Sequence, residues 1–169
     1  CEILFSVFSL TAGMERELRS AGLPIRGVLA PPGLKFALLL VTVEPGHPGI
    51  TDRVVSVVRS SKMGVFFQYV VVTDEPVDVT NLPETMHAVL AKTHPVSGIQ
   101  IMDLAPGHPL IPFSDLHDKL HSRGASLSFD GTTPLEWLDG EQAPRRVSFM
   151  NSYPKEIRER VSSRWSEFG

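Results

Sequence analysis

"KFALLLVTV", Lys35 to Val43, has the unbroken apolar centre FALLLV and is cut off by Pro45-Gly46-His47-Pro48-Gly49. A strand exposed on one side would alternate apolar with polar residues, so this run predicts a strand covered on both faces. A second run, "VFFQYVVVT" from Val65 to Thr73, is rich in β-branched and aromatic residues and predicts another strand. Between them Thr51 reads as the N-cap of a helix that turns Val54, Val55 and Val58 inward and runs to about Ser60. Strand, helix and strand in that order predict a crossover, and hence an α/β fold.

The flanks extend the pattern. Upstream, a helix rich in apolar residues runs through Met14 and Leu18 and stops at Gly22, before Pro24. Ile25 to Leu29 is a short strand that Pro31-Pro32-Gly33 turns into the central run. Downstream, Asn81 and Glu84 make a capping box for a helix from Leu82 to about Lys92. Ile99 to Leu104 is a fourth strand, Ser114 to Arg123 a short helix, and Ala125 to Phe129 an edge strand. Pro154 opens a last helix with Ile157, Val161, Trp165 and Phe168 along one face. The expected fold is a layered mixed sheet with helices packed on it, organised as an α/β domain over 1–150 and a C-terminal helix over 151–169. The chain opens at Cys1 with no initiator methionine and no N-cap, and reads as cut from something longer.

Composition narrows the function. With 169 residues, 42% of them hydrophobic, the chain can bury a proper core. A net charge of -3 and the lack of a basic run argue against a nucleic-acid partner. A single cysteine rules out an internal disulfide framework and favours a reducing compartment, so the expected location is cytoplasmic. The apolar run Phe36 to Val41 is too short to span a bilayer, which gives no membrane partner.

Four stretches carry candidate chemistry. In "HDKLH", His117 and His121 stand at i and i+4 and could share a metal on a helix; the simpler reading is a solvated face with Leu116 and Leu120 inward. "SSKMG", Ser60 to Gly64, groups two hydroxyls, the Lys62 ammonium and a glycine in a way that could hold a phosphate. A solvated turn is its plainer alternative. "TDEPVD", Thr73 to Asp78, collects three carboxylates at the end of a strand, where open α/β sheets place ligands, or is simply a polar loop. "PGHPLIPF", Pro106 to Phe113, holds three prolines that fix φ and remove donors, so it reads as a stiff loop that must bury its apolar side chains or wall a site.

Taken in order, "SAGLPIRGVLAPP", "SSKMGVFFQYVVVTDEPVDV", "TMHAVLAKTHP", "PGHPLIPF" and "SYPKEIRERVSSRWSEFG" resemble the C-terminal portion of the UbiD-type carboxylases and decarboxylases, especially the ferulic acid decarboxylase-like branch. The resemblance implies prenylated FMN, a flavin that acts as electron sink while carbon dioxide leaves an α,β-unsaturated or aromatic carboxylic acid. It places the catalytic residues in an N-terminal part absent from this chain. That part would also hold most of the flavin, a divalent metal (Mn or Mg) and potassium. The C-terminal part would drive dimer or higher homo-oligomer assembly and close one side of the site.

By position, Lys62 matches a lysine that contacts the flavin phosphate. His108, Pro109 and Leu110 match a segment lining the substrate pocket, and Val65 and Phe66 match pocket positions near the flavin. His108 stands where the ferulic acid branch has phenylalanine, which implies a more polar substrate end or a second carboxylate. Lys92 replaces an arginine near the cation site and His87 a tryptophan. The favoured reading is the C-terminal part of a prenylated-FMN-dependent decarboxylase, inactive alone. Its rivals are a stand-alone oligomerisation domain without activity and a small metal hydrolase using His117 and His121.

Overall fold

A computed structural model describes residues 2–34, 37–75, 82–109, 111, 114–138 and 152–167. They fall into two compact units, Cys1–Leu135 and Glu136–Gly169.

The first unit is built on a five-stranded mixed sheet. Its elements in chain order are α1 (Glu2–Ser20), β1 (Ile25–Leu29), β2 (Leu38–Val43), α2 (Ile50–Ser60), β3 (Tyr69–Thr73), α3 (Leu82–Lys92), β4 (Ile99–Pro106), α4 (Leu116–Leu120) and β5 (Arg123–Gly131). The strand order is β1-β2-β3-β5-β4. β2, β3 and β5 run parallel, while β1 and β4 pair antiparallel at the two edges. The layered mixed sheet expected from the sequence is therefore present.

The unbroken run in β2 has the predicted cause. Leu39, Val41 and Val43 face a core with Val70 and Val72 of β3, Met14 and Leu18 of α1, and Val54 and Val58 of α2. Leu38 and Leu40 point the other way and meet Val71 and Val89 of α3, with Leu29 and Phe129 packed at the margin. Alternate side chains thus enter two different cores, so neither face can be polar.

Several local expectations are corrected. The strand expected over Val65–Thr73 begins at Tyr69, because Gly64–Phe66 forms a 3-10 turn. Thr51 lies inside α2; the N-cap is Gly49, whose φ of 60° is left-handed and so suits glycine. The strand expected at an edge over Ala125–Phe129 is longer and interior, lying between β3 and β4. Gly22, with φ 72°, follows α1 as anticipated.

The sheet's directions decide what can meet. β4 is antiparallel to β5, so Pro106 at its end pairs with Arg123 at the start of β5. Tyr69, at the start of β3, pairs with Leu127. The segment before β3 and the segment after β4 therefore emerge at one end of the sheet, and Thr73 and Gly131 at the other.

In the second unit Pro154 precedes the helix α5 (Lys155–Ser163), with Ile157 and Val161 half-buried. The helix stops before Trp165, which lies in a separate 3-10 turn and is exposed, so it does not continue the helical face that its spacing suggested. Phe168 lies outside the described residues. Among the described residues no helix is long and apolar enough to cross a membrane.

Candidate functional site

The turn between α2 and β3 is held at each step. The Ser61 hydroxyl accepts the Met63 N–H at 3.0 Å, and the Gly64 N–H reaches the Ser61 carbonyl at 3.0 Å. Gly64 is packed so tightly that a Cβ there would sit 1.7 Å from the Val58 carbonyl oxygen, which explains why only glycine fits. Met63 sits over Gly13 of α1, where a Cβ would come within 2.7 Å of its sulfur. Phe67 is fully buried and anchors the exit into β3.

Arg59, in the last turn of α2, closes the turn from below. Its Nη1 donates to the Phe67 carbonyl at 2.6 Å and its Nη2 to the Gln68 carbonyl at 3.4 Å. Burial pushes its pKa down to about 10. Gln68 in turn donates from its side chain to the Val65 carbonyl at 3.1 Å, and its own carbonyl accepts the Leu127 N–H at 2.8 Å. Lys62 is exposed on this turn, while Val65 and Phe66 are half-buried.

The proline loop approaches from β4. Gly107 donates to the Ser122 carbonyl at 2.9 Å and lies so close to β5 that a Cβ would stand 2.6 Å from the Arg123 carbonyl oxygen. The Ile111 N–H closes a turn on the His108 carbonyl at 3.0 Å, and the Ile111 side chain is buried. That turn sets the His108 imidazole over the Phe66 ring, with centroids 4.5 Å apart and planes 31° to one another. Of the residues named from sequence, the structure thus joins Phe66 and His108 directly and puts Lys62 and Val65 on the same turn as Phe66. Pro109 is exposed and Leu110 lies outside the described residues.

The opposite end of the sheet holds the acidic stretch. Asp74 is buried and ion-paired with Lys92 Nζ at 2.8 Å; the same ammonium reaches Glu75 Oε1 at 2.7 Å and Thr133 Oγ1 at 2.8 Å. Thr133 N–H donates to the other Asp74 oxygen at 2.9 Å. Burial penalises the Asp74 carboxylate, but the hydrogen bonds from Lys92 and Thr133 and the Lys92 charge outweigh it and hold its pKa below the ordinary value. For Lys92 burial again opposes the charge, and its bonds to Asp74 and Glu75 and their charges raise its pKa. Asp74, Glu75 and Lys92 thus form an ion-paired knot of two carboxylates and one ammonium in place of a solvated loop; Asp78 lies outside the described residues.

In "HDKLH" His117 lies in the one-turn helix α4 and His121 is its C-cap. The His121 Nδ1 is engaged with the His117 carbonyl at 2.8 Å and the two rings lie 4.3 Å apart. Possible ligand atoms of Asp115, His117 and Asp118 gather within 4.8 Å, at the start of a one-turn helix where Asp115 is already the N-cap. Leu116 and Leu120 are exposed, not inward as the amphipathic reading had them.

A groove of about 250 Å³ lies on the sheet between Gln68, Tyr69, Ile101, Ala125, Ser126 and Leu127. Among the described residues, Lys62, Val65, Phe66 and His108 do not line it, and the groove holds no titratable group besides Tyr69, so the chemistry points to the turn and loop instead. Arg59 was not singled out from sequence, where a lone basic residue in a last turn reads as a partner for the helix dipole.

Comparison with known proteins sharpens the picture. Residues 8–131 match the model of the 3-octaprenyl-4-hydroxybenzoate carboxy-lyase C-terminal domain, UbiD_C. Pyrrole-2-carboxylic acid decarboxylase of Pseudomonas aeruginosa is 27% identical over 117 residues, 69% of this chain and 23% of that protein. Among solved structures, the UbiD-class enzyme HmfF of Pelotomaculum thermopropionicum, in complex with FMN, superposes with a TM-score of 0.72 at 20% identity, over 92% of this chain and 34% of that one. Vanillic acid decarboxylase of Sedimentibacter hydroxybenzoicus gives a TM-score of 0.66 at 22% identity, over 92% of this chain and 31% of that one. The chain spans about a quarter to a third of these relatives' length. With the matched model covering the sheet from α1 to the end of β5, the chain belongs to the family of UbiD carboxy-lyase C-terminal domains.

Proposed function

We propose that this chain is the C-terminal part of a prenylated-FMN-dependent, non-oxidative (de)carboxylase acting on an α,β-unsaturated or aromatic carboxylic acid. The observation that carries this reading is the meeting of Phe66 and His108 over the turn that bears Lys62. A pocket wall and a phosphate contact would then be supplied from one end of one sheet.

The residues fit such a cofactor. Among the described residues Lys62 forms no ion pair, and it stands exposed on a turn whose backbone is fixed by Ser61, Gly64 and Arg59. An ammonium on a rigid turn suits a phosphate as a point charge. The bound flavin would supply the electron sink for loss of carbon dioxide. The chain itself would orient: Lys62 holds the phosphate, and Val65, Phe66, His108, Pro109 and Leu110 wall the substrate side and exclude water. His108 offers a hydrogen-bonding edge there, which favours a substrate with a polar far end or a second carboxylate. The general acid, the divalent metal and potassium belong in this reading to an N-terminal part of the same enzyme. Homo-oligomer contacts and a cytoplasmic location belong to it as well, with 151–169 as the contact helix.

The test is the flavin carried by the intact purified protein. Lys62→Glu should abolish the flavin absorbance and the decarboxylation of an aromatic acid panel while leaving the fold, read by circular dichroism, unchanged. Undiminished flavin in that variant would overturn the reading.

A further inference from the structure

The turn that presents Phe66 is held by an arginine whose placement is costly. Arg59 is half-buried, its buried Nε has no hydrogen-bond partner among the described residues, and its guanidinium contacts the carbonyls of Phe67 and Gln68. An apolar side chain of similar length would fill the space without that desolvation cost. What an apolar chain cannot do is grip two consecutive carbonyls at once, which the planar fork of a guanidinium does.

Those two peptide groups follow Phe66 directly and join its turn to β3. The Phe66 N–H is bonded to the Met63 carbonyl at 3.2 Å and the Phe67 N–H to the Gly64 carbonyl at 3.1 Å, which defines the 3-10 turn. Beyond it, the Phe67 side chain is buried and the Gln68 carbonyl is already engaged by Leu127 of β5. The Gln68–Tyr69 peptide is thus fixed from both sides, by Leu127 and by the Tyr69 N–H on the Ala37 carbonyl, whereas among the described residues the Phe67 carbonyl is held by Arg59; rotation of the Phe67 peptide plane is the freedom that Arg59 removes. We infer that Arg59 is a positioning residue, which holds the Phe66 ring under His108 by fixing the Phe67 carbonyl, with the already anchored Gln68 carbonyl as its second hold. The importance of that pair for a flavin and its substrate rests on the reading above; the positioning itself does not.

The experiment uses the intact protein with isotope-labelled histidine, the His108 ring resonance being identified by its loss in His108→Gln. Stacking on Phe66 shifts that resonance, and Phe66→Leu gives its unstacked position. Arg59→Ala should move the His108 resonance toward the Phe66→Leu position, and millimolar methylguanidinium, which can refill the vacated space, should return it. An unchanged resonance would overturn the inference. So would a displaced resonance that methylguanidinium does not return, since general loosening would then be the cause. Should Arg59→Ala not fold, Arg59→Lys carries the test: an ammonium reaching one carbonyl should give an intermediate displacement, and no displacement sinks the idea. Quenching of FMN fluorescence by the wild-type protein reads the cofactor assignment separately. Failure to bind FMN removes that assignment and leaves the resonance result to judge Arg59.

Discussion

The imidazole of His108, from the loop after β4, lies over the ring of Phe66, from the turn before β3, at a centroid distance of 4.5 Å. A tilted aromatic pair at this distance contributes roughly 0.5–1.5 kcal/mol beyond the area it buries. A double-mutant cycle of Phe66→Ala and His108→Ala, read by urea unfolding, should show a coupling in that range. Coupling indistinguishable from zero would mean that the two segments do not support one another. On the function proposed above, His108→Phe in the intact protein should shift the substrate range toward acids with an apolar far end. An unchanged range would remove His108 from the specificity argument.

Gly64 admits no side chain. With a Cβ placed 1.7 Å from the Val58 carbonyl oxygen, Gly64→Ala must displace backbone at the end of α2. Overpacking typically costs about 1–3 kcal/mol, and a clash with backbone this close belongs at the upper end, which thermal unfolding would register as a large fall in Tm or as loss of soluble protein. By contrast Gly33, which has open space around its Cβ position, should accept alanine with little change.

Lys92 is the centre of the charged knot. Lys92→Met would leave the Asp74 carboxylate buried without its cation, and breaking one side of such a pair costs about 3–5 kcal/mol. The pH dependence follows from the two shifts. Asp74 is held below its ordinary value of 3.8, so its stabilisation is complete above that pH and is lost as pH falls through the lower folded value. Lys92 is raised above 10.5, so its share is complete below that pH and fades as pH rises further. Denaturant unfolding of Asp74→Asn should show a shallower acid limb than wild type, and an identical limb would refute the assignment.

Asp115 caps α4 through the Asp118 N–H at 2.8 Å. Asp115→Ala should cost about 1 kcal/mol and Asp115→Asn much less, since asparagine keeps the accepting oxygen. Equal losses in calorimetric unfolding would show that charge, not capping, is what Asp115 supplies.

Much of the architecture was legible in the sequence because it is local. A strand apolar on both faces announces itself by the absence of alternation, and FALLLV did so; Gly22 and the Leu82–Lys92 helix followed from propensity and termination signals that act over a few residues. Lys62 and the loop of His108 stood out as local motifs, SSKMG and PGHPLIPF, whereas Val65 and Phe66 were reached through family resemblance, which reads order and spacing along the chain. The 3-10 turn at Gly64–Phe66 was hidden by its own composition, since Val65 and Phe66 continue the β-branched and aromatic pattern of the strand behind them.

Only the tertiary structure decided which segments meet. Insertion of β5 between β3 and β4 brings the end of one antiparallel strand to the start of a parallel one, and so places His108 on Phe66. It sends Asp74 to the far end, where Lys92 neutralises it. Strand order depends on hydrogen bonds between segments far apart in the chain, and the grip of Arg59 on the carbonyls of Phe67 and Gln68 depends on the turn that folds them back beneath α2. Side-chain periodicity reports which face of a strand is buried, and carries no record of which strand lies beside it.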